Sequence, residues 1–167
     1  ESLKMAKAKL KIGVSSCLLG ERVRYNGEHK YNQIVIDLLG DRFEAVPVCP
    51  ELEMGVPREP VQIVAGNEHL VGVESGKDWT KAMASFNSKK LEEIAQLNLS
   101  GFIFKSHSPS CGLRDIPVYN ETGLAQVETT AGLFAQVFMK RFPSLPVIDE
   151  EALQDKQTRE IFIARII

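Results

Sequence analysis

Cysteine is the residue type of this chain best suited to chemistry, and Cys17, Cys49 and Cys111 are separated by 32 and 62 residues. Such gaps match no compact metal motif with two thiols on one turn. Three thiols cannot all pair within one chain, and 167 residues can form a core without a disulfide framework. A reducing, cytoplasmic setting is therefore expected. As thiolates these residues could hold zinc or an iron-sulfur cluster, or one could act as a nucleophile. As thiols they could equally be small buried core residues. The choice turns on whether the fold brings them together.

The surrounding elements predict that it does. Cys17 ends the strand-like KIGVSS, Cys49 follows FEAVPV, and Cys111 lies shortly after GFIFK. In an open parallel sheet the carboxyl ends of different strands share one side, so three strand-to-loop transitions can meet without a local motif. Pro47 places the second of these strands at an edge or near its end.

Between these strands, Tyr31 to Leu39 has a helix-like apolar recurrence closed by Gly40, and LLGERVRYNGEHK reads as a loop around Asn26-Gly27. Gly55, Pro57 and Pro60 argue against regular structure from Glu51 to Glu59, which is a candidate site loop. VQIVAG and HLVGVESG predict a hairpin around Gly66-Asn67. Asp78 or Thr80 then caps a helix carrying Met83, Phe86, Ile94 and Leu97 on its apolar side. The stretch through Thr122 is polar, and a helix with Leu133, Phe134, Val137 and Phe138 is expected to begin at Thr130. Val147-Ile148 offers a short strand and Asp155 to Ile166 a final helix.

These elements predict an α/β chain with a mainly parallel sheet and flanking helices, in a Rossmann-like three-layer architecture. Residues 1–10 read as a flexible leader and 11–167 as a single domain. The formal net charge is −2, with 20 basic against 22 acidic residues, so no global field recruits nucleic acid or an anionic membrane. Apolar runs are strand-sized, and no membrane partner is expected.

The pieces SSCLLG, RYNG, PVCPE and KSHSPSCG occur in this order within residues 11–150. Together they resemble the DUF523 family, which includes thiouracil desulfurases. The resemblance extends to the desulfurase-like portion of longer DUF523/DUF1722 proteins that act on thiolated tRNA. It implies that Cys17, Cys49 and Cys111 ligate a [4Fe-4S] cluster and leave one iron open for substrate sulfur. The implied reaction is non-redox replacement of C=S by C=O in a thiolated pyrimidine, with 2-thiouracil the first test substrate. Thiolated tRNA is the alternative substrate, and the sulfide acceptor is unassigned. A zinc-binding structural protein, or a module that binds tRNA without desulfurating it, would also explain parts of the pattern.

Water attack and proton delivery need polar groups beside that cofactor. Glu51, two residues beyond Cys49, is the first choice for acid/base work, with Glu53 second. Ser108 is the hydroxyl expected to orient water or the base, and Ser16, Ser106 and Ser110 compete with it. His107 is expected at the rim, as a substrate contact or, less readily, a zinc ligand. Arg24 and Tyr25 could contact the substrate, Tyr25 by stacking. Arg22, Arg24, Lys30, Lys105 and Arg114 could form a basic rim.

Overall fold

A computed structural model describes residues 9–19, 33–40, 42–56, 59–66 and 68–167. The strands are β1 (Leu10–Ser15), β2 (Phe43–Val48), β3 (Val61–Val64), β4 (His69–Gly72), β5 (Gly101–Phe104), β6 (Ile116–Tyr119), β7 (Gln126–Thr130) and β8 (Val147–Asp149). The α-helices are α1 (Gln33–Leu39), α2 (Pro50–Glu53), α3 (Thr80–Leu97), α4 (Leu133–Arg141) and α5 (Lys156–Ile166). Short 3-10 turns occupy Ser16–Leu19 and Ala152–Gln154.

Four strands form an all-parallel sheet in the order β2-β1-β5-β8. β1 and β5 are central and buried on both faces, which is why they read as short apolar runs. Pro47 is accommodated because β2 is the edge strand. On one face Ile12, Val14, Ile103 and Ile148 pack against Val35 and Leu38 of α1 and Phe162 and Ile166 of α5. On the other, Phe102 and Phe104 pack against Phe134 and Phe138 of α4 and Leu91 and Ile94 of α3. The Phe102 and Phe138 rings meet edge to face at 4.8 Å, a geometry that aromatic quadrupoles favour. Gly13 makes room for this layer, since a Cβ there would lie 2.2 Å from the Phe102 ring.

The remaining strands form a second, mixed sheet in the order β4-β3-β6-β7. The expected hairpin is present as the antiparallel pair β3 and β4, and β3 also pairs in parallel with β6. The expectation of one mainly parallel sheet therefore needs correction to two sheets. The second was missed because Pro117 interrupts the short apolar run of β6, and β7 is largely exposed. Exposed strands carry little hydrophobic periodicity. For the same reason Thr130, expected to open a helix, instead ends β7 opposite Ile116, and α4 begins at Leu133.

A smaller correction concerns Glu51 to Glu59. Residues Pro50–Glu53 form one helical turn, with Pro50 at a first-turn position where its missing N–H costs no hydrogen bond. The N-cap of α3 is Trp79 in place of the expected Asp78 or Thr80, although Asp78 still accepts the Thr80 amide at 2.8 Å; Asp155, where the last helix was expected to begin, is its N-cap and accepts the Thr158 amide at 2.9 Å. The Asn26-Gly27 loop lies outside the described residues.

Candidate active site

The carboxyl ends of β1, β2 and β5 open onto one cavity of about 220 Å³. Cys17 reaches it from the turn after β1, Cys49 from the junction of β2 and α2, and Cys111 from the loop after β5. Strand order places them there: parallel neighbours end on the same side, and the chain changes direction immediately beyond each one. None of the three forms a disulfide.

The Cys111 loop is fixed by backbone bonds to the start of α4. The Leu133 amide donates to the Pro109 carbonyl at 2.9 Å, and the Phe134 and Ala135 amides donate to the Ser110 carbonyl at 3.0 Å each. Amides of the first helical turn have no partner within the helix, so the loop that carries Cys111 also caps the helix. Gly132 permits this approach, because a Cβ there would lie 2.5 Å from the Ser110 carbonyl carbon and 2.9 Å from the Cys111 nitrogen. Ser108 tightens the turn from inside, its hydroxyl accepting the Cys111 amide at 3.0 Å and the Ser110 amide at 3.2 Å.

Glu51 and Ser108, expected to work together, are linked through Ser110. The Ser110 hydroxyl donates to Glu51 Oε2 at 3.0 Å and lies 3.1 Å from the Ser108 hydroxyl. All three residues line the cavity. Ser110 thus moves from competitor to connector, and it also approaches Cys111 Sγ at 3.9 Å. Ser16 is buried and lines the same cavity.

The other candidates divide by position. Ser106 is held outside the cavity lining, its hydroxyl donating to Glu150 Oε2 at 2.6 Å and its amide to Glu150 Oε1 at 2.7 Å. Lys105 lines the cavity and forms a buried pair with Glu150 at 3.1 Å. His107 has the left-handed φ of 61°, and its largely exposed ring lies 2.9 Å from Glu151 at the mouth. Arg114, expected on a basic rim, pairs with buried Asp149 at 3.2 Å. Glu53 does not line the cavity: it accepts the Cys49 amide at 2.8 Å. Arg22, Arg24, Tyr25 and Lys30 lie outside the described residues.

Ser15 and Glu150 were not singled out from sequence. The Ser15 hydroxyl accepts the Lys105 amide at 2.9 Å, tying the ends of β1 and β5 together. Its signal was a small polar residue closing an apolar strand. Glu150 was visible only as one of three consecutive acids beginning with the last residue of β8, a pattern that ordinarily marks surface.

Electrostatics bears on what the thiols could hold. Burial pushes Cys49 and Cys111 up to about 12. The Leu52 amide at Cys49 and the Ser15 and Ser110 hydroxyls at Cys111 offset part of this, while neighbouring Glu51 and Cys17 raise both again. Such thiols ionise only beside a compensating positive centre, which a metal cofactor supplies. A single zinc ion would draw every thiolate to about 2.3 Å from itself. Among the described residues, however, no three His, Cys, Asp or Glu side chains are grouped closely enough to hold a metal ion. Three ligands of one kind line one cavity that also holds a carboxylate and hydroxyls, a donor set that suits a thiolate-bound metal cofactor.

The family model for 2-thiouracil desulfurase matches residues 12–150. The Bacillus subtilis (strain 168) protein YbbK is 35% identical over 153 residues, covering 86% of this chain and 98% of its own length. The solved structure of the [4Fe-4S]-dependent thiouracil desulfidase TudS is similar with a TM-score of 0.64 and 33% identity, over 87% of this chain and 94% of that one.

Proposed function

The chain belongs to the 2-thiouracil desulfurase family, and from that premise we propose that it is an iron-sulfur-dependent desulfurase of a thiouracil-like base. The observation carrying this reading is the convergence of Cys17, Cys49 and Cys111 on one cavity that also contains Glu51, Ser108 and Ser110. Overall, water replaces the thiocarbonyl sulfur: C=S and H2O give C=O and H2S, with no net electron transfer.

In this reading the three cysteines hold a [4Fe-4S] cluster. When bound, the cluster supplies a Lewis-acidic iron for the substrate sulfur. The chain's own contribution is proton handling and orientation. Glu51 accepts a proton from the attacking water and returns it to the departing sulfur. Ser110, donating to Glu51 and lying beside Ser108, keeps the carboxylate aimed while Ser108 orients water or the base. His107 and Ser16 contact the substrate from the mouth and the wall.

The remaining assignments belong to the same reading. Residues 11–167 act as one desulfurase unit, supported by the family match over most of that span. The parallel sheet, covered by helices on both faces, is its Rossmann-like layer. Three cysteines without a disulfide suit a reducing cytoplasm. Among the described residues no helix is long and apolar enough to cross a membrane.

The test is anaerobic reconstitution followed by iron and sulfide analysis and turnover of 2-thiouracil. Close to four irons per chain together with uracil formation is the expected result. One zinc per chain without iron or turnover would overturn it. Turnover of thiolated tRNA without free-base turnover would move the substrate to RNA.

A further inference from the structure

Glu53 sits one helical turn beyond Cys49, and its carboxylate bridges two groups from distant parts of the chain. Glu53 Oε2 accepts the Cys49 backbone amide at 2.8 Å, and Glu53 Oε1 accepts Lys90 Nζ at 2.8 Å. The Glu53 amide in turn donates to the Cys49 carbonyl at 2.9 Å. Cys49 is therefore held at both its N–H and its C=O by one residue, as in a reciprocal helix-start cap. That cap is anchored to α3 by Lys90, whose side chain is only 15% exposed.

The neighbouring cysteines have no need of such an anchor. Cys111 is fixed by Ser108 and by the start of α4, and Cys17 follows the central strand β1, which has a partner strand on each side. Cys49 follows the edge strand β2 and caps a helix of four residues, too short to hold itself in place. A second element is required to fix its position.

We propose that Lys90 and Glu53 form a positioning relay that couples helix α3 to the second cysteine and sets the direction of its sulfur. The proposal rests on the desulfurase reading for its purpose, since a three-ligand cofactor depends on each thiolate holding its direction, but the relay can be measured without the cofactor. Removing the Lys90 cation leaves Glu53 free to turn into solvent, and the Cys49 amide then loses its acceptor. The relay also explains Glu53 chemically: a carboxylate engaged by an amide and an ammonium is a structural clamp, whereas Glu51 faces the cavity.

The experiment compares wild type with Lys90→Met, which keeps the aliphatic stem, with Lys90→Arg, and with Glu53→Ala. Amide hydrogen exchange is measured first in the cluster-free chain. Exchange at Cys49 is expected to accelerate about tenfold in Lys90→Met and Glu53→Ala, the size set by losing one charge-assisted hydrogen bond. It should return towards wild type in Lys90→Arg, with exchange in the β1, β5 and β8 core unchanged. Iron loss to a chelator after reconstitution should accelerate in the same two variants and recover in Lys90→Arg. Unchanged exchange at Cys49 overturns the relay, as does acceleration spread evenly over the core. If the wild type takes up no iron while Cys49 exchange responds as described, the cofactor reading fails and the relay stands.

Discussion

Gly132 and Ser110 approach so closely that a Cβ on the glycine would lie 2.5 Å from the serine carbonyl carbon. The backbone at Gly132 is extended, with φ −60° and ψ 153°, so alanine there is limited by contact and not by conformation. Gly132→Ala should push the Cys111 loop away from α4 and cost about 1–3 kcal/mol, the usual range for overpacking a closed site. Urea unfolding of the cluster-free chain reads the stability, and iron per chain after reconstitution reads the displaced cysteine. A wild-type value in both measurements would show that the contact gives way freely.

The linked carboxylate and hydroxyls predict a separation between chemistry and cofactor retention. Glu51→Gln should keep its iron and lose about 100-fold or more in desulfuration rate, the scale of a missing general acid/base. Ser110→Ala and Ser108→Ala should also slow turnover. Ser108→Ala should in addition loosen the loop, because two amides lose their acceptor. Full activity in Glu51→Gln would remove it from the proton path.

Each Cys→Ser replacement should instead lose iron together with activity while preserving the fold. Iron analysis and far-ultraviolet circular dichroism separate these effects. Full iron content and turnover after replacement of Cys17, Cys49 or Cys111 would sink the three-thiolate assignment.

The thiols also predict an alkaline instability. Burial raises Cys49 and Cys111 from the ordinary 9.0 to about 12 in the folded, cluster-free chain, so the folded state holds these protons more tightly than the unfolded one. The associated stability is complete below pH 9.0 and is lost as pH rises from there towards 12. Urea midpoints across that window should fall less steeply in Cys111→Ser than in wild type. Equal slopes would show that other groups govern the alkaline limb.

Glu150 predicts an opposite, acid limb. Its burial raises its pKa, but the Ser106 hydroxyl and amide and the Lys105 ammonium outweigh that effect and bring it below the ordinary 4.5. A lowered folded value gives stability that is present above pH 4.5 and is lost as pH falls through the folded value. Glu150→Gln should therefore be less stable at neutral pH and show a flatter decline under acid. Removing one partner of a buried pair costs about 3–5 kcal/mol, and Lys105→Met combined with Glu150→Gln should recover part of it by removing the orphaned cation.

The sequence by itself determined the parallel strands, the main helices and the position of each cysteine just beyond a strand. These features rest on local information: apolar runs such as GFIFK and punctuation such as Gly40 act within a few positions of themselves. The place of Glu51 on the cavity was legible for the same reason, two positions from Cys49. The tertiary structure alone decided that β6 and β7 build a second sheet, because the exposed face of β7 leaves no apolar period to read. It alone made Ser110 the link to Glu51, across 59 residues, and brought Glu53 against Lys90 across 37. Side-chain chemistry says that a carboxylate can accept a proton, an amide or an ammonium, and only the packing of α2 against α3 and of the Cys111 loop against α4 fixes which of these each carboxylate meets.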